Sequence, residues 1–415
     1  MKNENYDIVI IGGGPAGIAS AYAAKKHFNH VLIIERKDRL GGILEQCIHD
    51  GFGISRYNEE LSGPEYARKE IAKLDNIDVA LNANVYAITK DGEQIKLSYY
   101  APDGVHHIVT QKLIIATGCR ERSAKEITIL GTNPSGVYTA GEAQYYINIM
   151  GKLPGKRVVI LGSGDIGLIM ARRLTLEGAK VIGVYEIKNC PSGLERNIVQ
   201  CLKDYDIPLH LSTTISSVKG RKKLTSVTTV KVDENMKHIE GSEEEIECDA
   251  LIISAGLIPV NDMMKKLGLK MSPRTKGPIV DEHYMSSVPN VYCVGNALHV
   301  HNLVDDVSYT GERAASFAKD NLKERELIDV TFDEHISYVV PEVFDIKNIP
   351  PLVDFALRVK EEMKNITLKI YADEEVIFQR KYVKLLPPEM LLVKVKMKDD
   401  MKMKKIHLAI EKEGK

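Results

Sequence analysis

Tyr6-Asp7-Ile8-Val9-Ile10-Ile11-Gly12-Gly13-Gly14-Pro15-Ala16-Gly17 is a short β-branched run that stops abruptly in glycine. An unbroken apolar run of this length suits a strand buried on both faces, as in a parallel sheet covered by helices. The Ala-rich segment from Ile18 to Lys26 then reads as a helix, and His30-Val31-Leu32-Ile33-Ile34 as a second strand closing on Glu35. Glu35 follows Gly12 at the separation expected across one βαβ unit, between its glycine turn and the acid that ends its second strand.

The same grammar returns downstream. Arg157-Val158-Val159-Ile160-Leu161 runs into Gly162-Ser163-Gly164-Asp165-Ile166-Gly167, a helix is expected through Ala171 to Glu177, and Val181 to Tyr185 ends on Glu186, as far beyond Gly162 as such a unit requires. This is an internal duplication of one fold unit. In such a loop the first glycine makes the tight turn, the second lets a pyrophosphate approach the backbone, and the third packs helix on strand. Backbone N–H groups at the helix start face the anion, and the acid at the end of the second strand accepts ribose hydroxyls. Two such loops call for two dinucleotides.

The 415 residues suggest about two to four domains. With 44% apolar and 27% charged residues the composition is that of a folded globular protein. Lys+Arg 56 against Asp+Glu 57 gives a net charge of -1, which supplies no field for a phosphate backbone, so nucleic acid is not expected as a partner. The six cysteines are Cys47, Cys119, Cys190, Cys201, Cys248 and Cys293, and even the nearest two, Cys190 and Cys201, are well separated in the chain. Zinc ribbons, dithiol redox motifs and iron-sulfur loops need closer thiols, so none is expected. Apolar runs are strand-sized throughout, which predicts no transmembrane segment and a cytoplasmic protein with reduced thiols. Beyond position 330, Ile366 to Tyr371, Val376 to Tyr382, Leu391 to Met397 and Ile406 to Ile410 read as strands of a small all-β module.

Three more strand-then-small-residue segments follow in order: Lys112 to Gly118, ending Ala116-Thr117-Gly118; Asp249 to Gly256; and Asn290 to Asn296, ending Gly295-Asn296. With them the chain resembles the two-dinucleotide-binding-domain flavoproteins, which include the pyridine-nucleotide disulfide oxidoreductases, over about positions 5 to 330. The resemblance implies an α/β fold of two Rossmann-like three-layer domains, the second inserted in the first. Residues 1–122 and 259–328 would form the FAD-binding domain, 123–258 the NAD-binding domain and 329–415 the C-terminal β module. It places FAD on Gly12, Gly14, Gly17, Glu35, Gly42, Gln46, Ala116, Thr117, Gly118, Gly295 and Asn296, and NAD on Gly162, Gly164, Gly167, Glu186 and Gly256. Glu186 points to NAD, since an acid there accepts a free 2′-hydroxyl and repels a 2′-phosphate.

The segments Gly41 to Gly53 and Cys293 to Asp305 are similar to the flavin subunits that accompany glycerol-3-phosphate dehydrogenase-like flavoenzymes, and to FAD/NAD subunits of sarcosine- and opine-oxidising complexes. That likeness implies a partner flavoprotein dehydrogenase, with assembly as a homo- or hetero-oligomer left open. Two departures stand out. The family's ribityl-binding Asp is Asn296 here, whose amide still hydrogen-bonds a hydroxyl. Phe52 stands where disulfide-reducing members carry a second cysteine after Cys47, and Thr139-Ala140-Gly141-Glu142 stands where thioredoxin-reductase-like members carry CxxC.

Cys47 reads either as a redox thiol beside the flavin or as a small buried hydrophobe packed against it. His49, two positions on, could touch substrate or serve as a loop hydrogen-bonder. His299 and His301, near Asp305 and Asp306, imitate a metal site, but a cofactor-facing role for His301 fits better and no metal is expected. The helix that follows, expected around Thr310 to Lys319, would aim its N-terminus at the flavin and stabilise negative charge there. Tyr138, Tyr145 and Tyr146 could border the nicotinamide, and Lys394 to Lys405 could form a docking face or one solvated strand face. The expected activity is FAD-dependent hydride exchange with NAD(P)H in an electron-transfer subunit. Two alternatives stay open: a single-cysteine NADH peroxidase, oxidase or mixed-disulfide reductase using Cys47, and a flavin-holding scaffold.

Overall fold

The computed structural model describes residues 3–320, 322, 324–398 and 401–412. Met1, Lys2 and the Asp399-Asp400 break in the Lys-rich tail lie outside them. The chain divides into two compact units, 1–119 with 259–415, and 120–258.

In the first unit, strand Asn3–Ile11 lies between Val31–Ile34 and Gly104–Ile115 and is parallel to both, with Ile10 beside Ile33 and Ile114. Ile8, Val9 and Ile10 are fully buried, as a strand covered on both faces demands. The sheet order is Asp78–Ala80, Val31–Ile34, Asn3–Ile11, Gly104–Ile115, Gln94–Ala101, Asn84–Asp91, with Val291–Cys293 parallel to the end of Gly104–Ile115. The long Gly104–Ile115 strand thus changes partner along its length: an antiparallel meander flanks its start and a parallel strand its end. Helix Pro15–Ala24 is buried nearly all round, because helix Val304–Ala318 packs on its outer side. Their closest approach needs Gly311, where a Cβ would stand 2.3 Å from the Ala16 carbonyl oxygen.

The second unit holds a parallel sheet ordered Leu209–His210, Lys180–Tyr185, Arg157–Leu161, Ala250–Ile253, Val137–Thr139. Alternate residues of its central strands feed two separate cores. Val158, Ile160 and Ile252 pack with Leu168, Met170, Ala171 and Leu174 of helix Asp165–Leu176. Val159, Leu161 and Ile253 pack instead with Ile215, Val218 and Val227 of an antiparallel sheet. The period-2 alternation of a strand therefore builds three layers: helices, parallel sheet, antiparallel sheet.

Among the described residues beyond 325 there are eight strands in two sheets around a core of their own. Four correspond to the runs expected from sequence. Leu327–Phe332, Ile336–Val340, Val343–Asp345 and Leu352–Val359 are additional. No helix among the described residues is long and apolar enough to cross a membrane.

Candidate functional site

The two glycine loops are built alike, each within its own unit. Gly12 has φ +107° and Gly162 φ +99°, a region that only glycine enters freely. A Cβ there would stand 2.4 Å from the Ala116 carbonyl oxygen and 2.2 Å from that of Ser254, so each turn is wedged under the small-residue segment of the neighbouring strand. At the third glycine a Cβ would lie 1.8 Å from the Gly12 oxygen for Gly17, and 2.4 Å from the Gly162 oxygen for Gly167. The second glycines differ from both. A Cβ at Gly164 meets nothing within 4 Å, and one at Gly14 meets only the Gly42 Cα at 3.9 Å. These are open cradles at a helix start, the shape that a pyrophosphate fills.

Both acids are buried and held from behind. Glu35 accepts the Gly13 N–H on Oε2 at 2.6 Å and the Lys37 N–H on Oε1 at 2.8 Å. Glu186 accepts the Ser163 N–H and hydroxyl on Oε2 at 3.0 and 2.5 Å, and the Lys188 N–H on Oε1 at 3.1 Å. A carboxylate offers about four acceptor sites. Glu35 keeps two open and Glu186 one, so the first loop has room for both hydroxyls of a ribose and the second for one. Ser163 was not singled out from sequence. Its hydroxyl also accepts the Ser192 N–H at 2.9 Å, which fastens the loop after Glu186 to the glycine turn.

The other residues expected around FAD all lie in the first unit. Thr117 Oγ1 donates to the Val260 carbonyl at 2.9 Å and the Val260 N–H to the Gly118 carbonyl at 2.9 Å, which ties Ala116-Thr117-Gly118 to the returning chain. Gly42 starts a 3-10 turn, Gly42–Gln46, in which Gln46 is buried, and its own Cβ would stand 3.0 Å from Gly14 Cα, so the two glycines face each other. Gly295 (φ +58°) donates its N–H to Thr310 Oγ1 at 3.0 Å. Gly256, in the second unit, has φ +89° and open space where a Cβ would project.

Cys47 is buried, with Sγ 3.3 Å from the Ile43 carbonyl oxygen. His49 is half-buried; its Nδ1 lies 3.1 Å from the Asp50 carbonyl oxygen and its ring 5.0 Å from Phe52. Asp305 is not free to bind a metal beside the histidines. Its carboxylate accepts the N–H groups of Gly53, Ser55 and Arg56 at 3.1, 2.8 and 3.1 Å and so pins the loop that follows Cys47 and His49. The helix expected around Thr310 begins earlier, at Val304, with Asp305 and Asp306 in its first turn. Two carboxylates there offset part of the positive end of the helix dipole, which the sequence alone aims at the flavin. In the second unit Tyr138 and Tyr146 pack edge to face at 5.3 Å while Tyr145 is exposed. At the helix start that carries Gly141, the Glu121 carboxylate accepts the Gly141 N–H at 2.8 and 2.9 Å.

Asn296 and His301 are brought together. Asn296 Oδ1 accepts the His301 N–H at 3.0 Å and lies 3.2 Å from His301 Nδ1, while Nδ2 stands 3.6 Å from Cys119 Sγ. The His301 ring lies against that of His299, with centroids 4.2 Å apart and planes tilted by 32°. Burial drives both imidazoles below their ordinary 6.5, His301 to about 4 and His299 well below 6.5, and nearby Arg358 adds to it. Both are neutral in the fold at neutral pH. The unfolded chain therefore binds protons that the folded one refuses: their stability contribution is complete above pH 6.5 and is lost as pH falls from 6.5 toward 4. His301→Gln is expected to remove about 3 kcal/mol of that acid-side loss. Chemical melts at pH 7 and pH 4.5 check this, and an unchanged pH dependence would show that His301 titrates normally.

Comparison with known proteins agrees with this architecture. Residues 6–316 match the model of the pyridine nucleotide-disulphide oxidoreductase family. The chain is 27% identical over 333 residues to hydrogen cyanide synthase subunit HcnB of Pseudomonas protegens, covering 74% of this chain and 67% of that protein. It is 25% identical over 307 residues to a ferredoxin--NADP reductase of Picrophilus torridus, covering 72% and 87%. Thioredoxin reductase of T. acidophilum shares the fold, with a TM-score of 0.62 at 24% identity over 76% of this chain and 98% of that one. The chain belongs to the pyridine nucleotide-disulphide oxidoreductase family, and is an FAD-dependent oxidoreductase of NAD(P)H.

Proposed function

We propose that this chain exchanges hydride between NADH and FAD as an electron-transfer subunit serving a partner dehydrogenase. The observation that carries the nucleotide half is the duplicated cradle: an open second glycine, Gly14 or Gly164, next in the chain to a residue whose N–H is held by a buried acid, Glu35 or Glu186, that keeps acceptor sites to spare. Gly12, Gly14, Gly17, Glu35, Gly42, Gln46, Ala116, Thr117, Gly118, Gly295 and Asn296 would hold FAD. Gly162, Gly164, Gly167, Glu186 and Gly256 would hold the nicotinamide nucleotide. Bound flavin supplies the two-electron acceptor, and the protein's part is to orient the rings and exclude water. Glu186 favours NAD, because its one open acceptor site suits a 2′-hydroxyl and its charge repels a 2′-phosphate.

The partner half rests on what the chain lacks and on its relatives. Phe52 and the Thr139–Glu142 turn stand at the places where a dithiol would relay electrons, so electrons must leave by another route. HcnB is by name a subunit of a larger enzyme. Assemblies of the sarcosine- and opine-oxidising kind are the model for such a partner.

The competing thiol mechanism uses Cys47. Its sulfur is buried and turned to the Ile43 carbonyl, which favours packing over nucleophilic attack. Anaerobic mixing of the flavin-loaded chain with NADH is expected to bleach the flavin band at least tenfold faster than NADPH, and Cys47→Ser is expected to leave turnover with an artificial acceptor unchanged. An unbleached band would make the chain a flavin scaffold, and loss of turnover in the serine variant would restore the thiol mechanism.

A further inference from the structure

Away from both glycine loops, the turn Asp281-Glu282-His283 gathers three ligating side chains that are almost wholly buried. Their donor atoms lie within 4.8 Å of one another. His283 Nδ1 stands 3.5 Å from Glu282 Oε1 and 3.8 Å from Asp281 Oδ1. Both distances exceed a normal hydrogen bond, whose N···O separation is about 2.9 Å. The 3.5 Å separation of Glu282 Oε1 and His283 Nδ1 fits instead one edge of a tetrahedron around a cation, about 3.4 Å for bonds of about 2.1 Å.

The satisfied and unsatisfied atoms sort in the same way. Asp281 Oδ1 accepts the His283 and Met285 N–H groups at 3.0 Å, and its Oδ2 accepts Arg325 Nη1 at 2.8 Å. Glu282 Oε2 accepts the Asp345 N–H at 2.9 Å. These bonds fill both acceptor sites of Asp281 Oδ1, so Oδ2 is the Asp281 oxygen left for a ligand bond, and they hold the side chains in place as outer-shell partners do around a metal. Glu282 Oε1, His283 Nδ1 and the hydroxyl of fully buried Tyr292 have no hydrogen-bond partner among the described residues. The charged neighbours of that hydroxyl include Asp281 and Arg325. Leaving buried polar atoms unpaired costs about 1–3 kcal/mol each, so the two in this turn, Glu282 Oε1 and His283 Nδ1, point to a missing occupant. Charge agrees. The carboxylates of Asp281, Glu282, Asp345 and nearby Asp320 outnumber the guanidinium of Arg325, an excess of negative charge that a divalent cation offsets.

We propose that Asp281, Glu282 and His283 form a buried site for a divalent transition-metal ion. Two carboxylates and an imidazole within 4.8 Å of one another select Zn2+ or a similar ion over Mg2+ or Ca2+. A water closes the fourth position. The ion is structural: through Asp345 and Arg325 it fastens this turn to strand Val343–Asp345 and to the segment that leads into the C-terminal sheets. None of its ligands belongs to the glycine loops, so the site stands or falls independently of the proposed electron transfer.

The test uses the full chain with its flavin, expressed in medium supplemented with zinc or cobalt, because a buried site fills during folding. Elemental analysis after desalting is expected to find one zinc per chain, and the cobalt form should show ligand-field bands of tetrahedral intensity. Glu282→Gln keeps the acceptor for the Asp345 N–H and should retain the flavin spectrum, yet hold zinc more than tenfold more weakly. His283→Gln should do the same. Absence of zinc and of tetrahedral cobalt bands in the wild-type chain, or zinc retained equally by both variants, overturns the site and leaves a protonated Glu282 beside His283 as the occupant of that space.

Discussion

Gly17→Ala is expected to give a colourless chain that melts well below the wild type. The added methyl would stand 1.8 Å from the Gly12 carbonyl oxygen. Gly12 cannot retreat, because its own Cα faces the Ala116 carbonyl with only 2.4 Å for any side chain. The atoms in the clash are backbone atoms of Gly12, in the turn at the end of strand Asn3–Ile11, so no side chain can swing aside. Overpacking a rigid core costs about 1–3 kcal/mol and more where nothing yields, against a net domain stability of about 5–15 kcal/mol. Gly164→Ala provides the contrast. Its methyl enters open space, so the chain should fold and keep its flavin while KM for NADH rises about tenfold or more. Flavin-to-protein absorbance ratios and thermal melts of the two variants separate the cases. A yellow, stable Gly17→Ala chain would mean that the loop is not wedged as described.

Arg358→Ala should have the second-largest effect, although the residue lies far from both glycine loops in sequence. Arg358, on strand Leu352–Val359, donates to the Tyr338 hydroxyl at 3.0 Å, to the Val300 carbonyl at 3.2 Å, to Asn302 Oδ1 at 2.9 Å and to the Pro388 carbonyl. It thereby clamps the loop from His299 to Asn302, and that loop holds Asn296 through His301. Charge-assisted hydrogen bonds contribute about 1.5–3 kcal/mol each, and several are lost together. Flavin dissociation is expected to rise by about 10- to 100-fold, with a smaller loss in Tm. Arg358→Lys should recover little, because an ammonium lacks the planar fork. Flavin affinity at the wild-type level in the alanine variant would show that the loop holds itself and that the C-terminal sheets play no part in the site.

The grouping that imitates a metal site in the sequence, and from which no metal is expected, is taken apart by the fold. His299, His301, Asp305 and Asp306 cluster in the chain, but the fold turns Asp305 to the backbone of Gly53, Ser55 and Arg56, and lays the two histidines against each other as neutral rings. The three-ligand cluster among the described residues lies instead at Asp281-Glu282-His283. Nothing in the spacing of that turn distinguishes it from a solvated acidic loop; only its burial does.

The sequence alone determined whatever depends on neighbours along the chain. Each βαβ unit is a local pattern, in which a run of Ile and Val, a glycine turn, a small-residue helix and an acid follow in one short stretch, from Gly12 to Glu35 and again from Gly162 to Glu186, so two glycine loops and their acids could be read directly. The meander was missed, although Ile95, Leu97 and Tyr99 alternate with exposed residues after the Asp91-Gly92 turn. Its one-faced strands carry a weaker signal than strands buried on both sides. Only the tertiary structure decided which side chains meet across distance: Asp305 with the loop at Gly53, Arg358 with Val300 and Asn302, Ser163 with Glu186. Those contacts depend on helix packing and sheet pairing, which bring together residues that no local period links, and the same burial sets the charge states of His299 and His301.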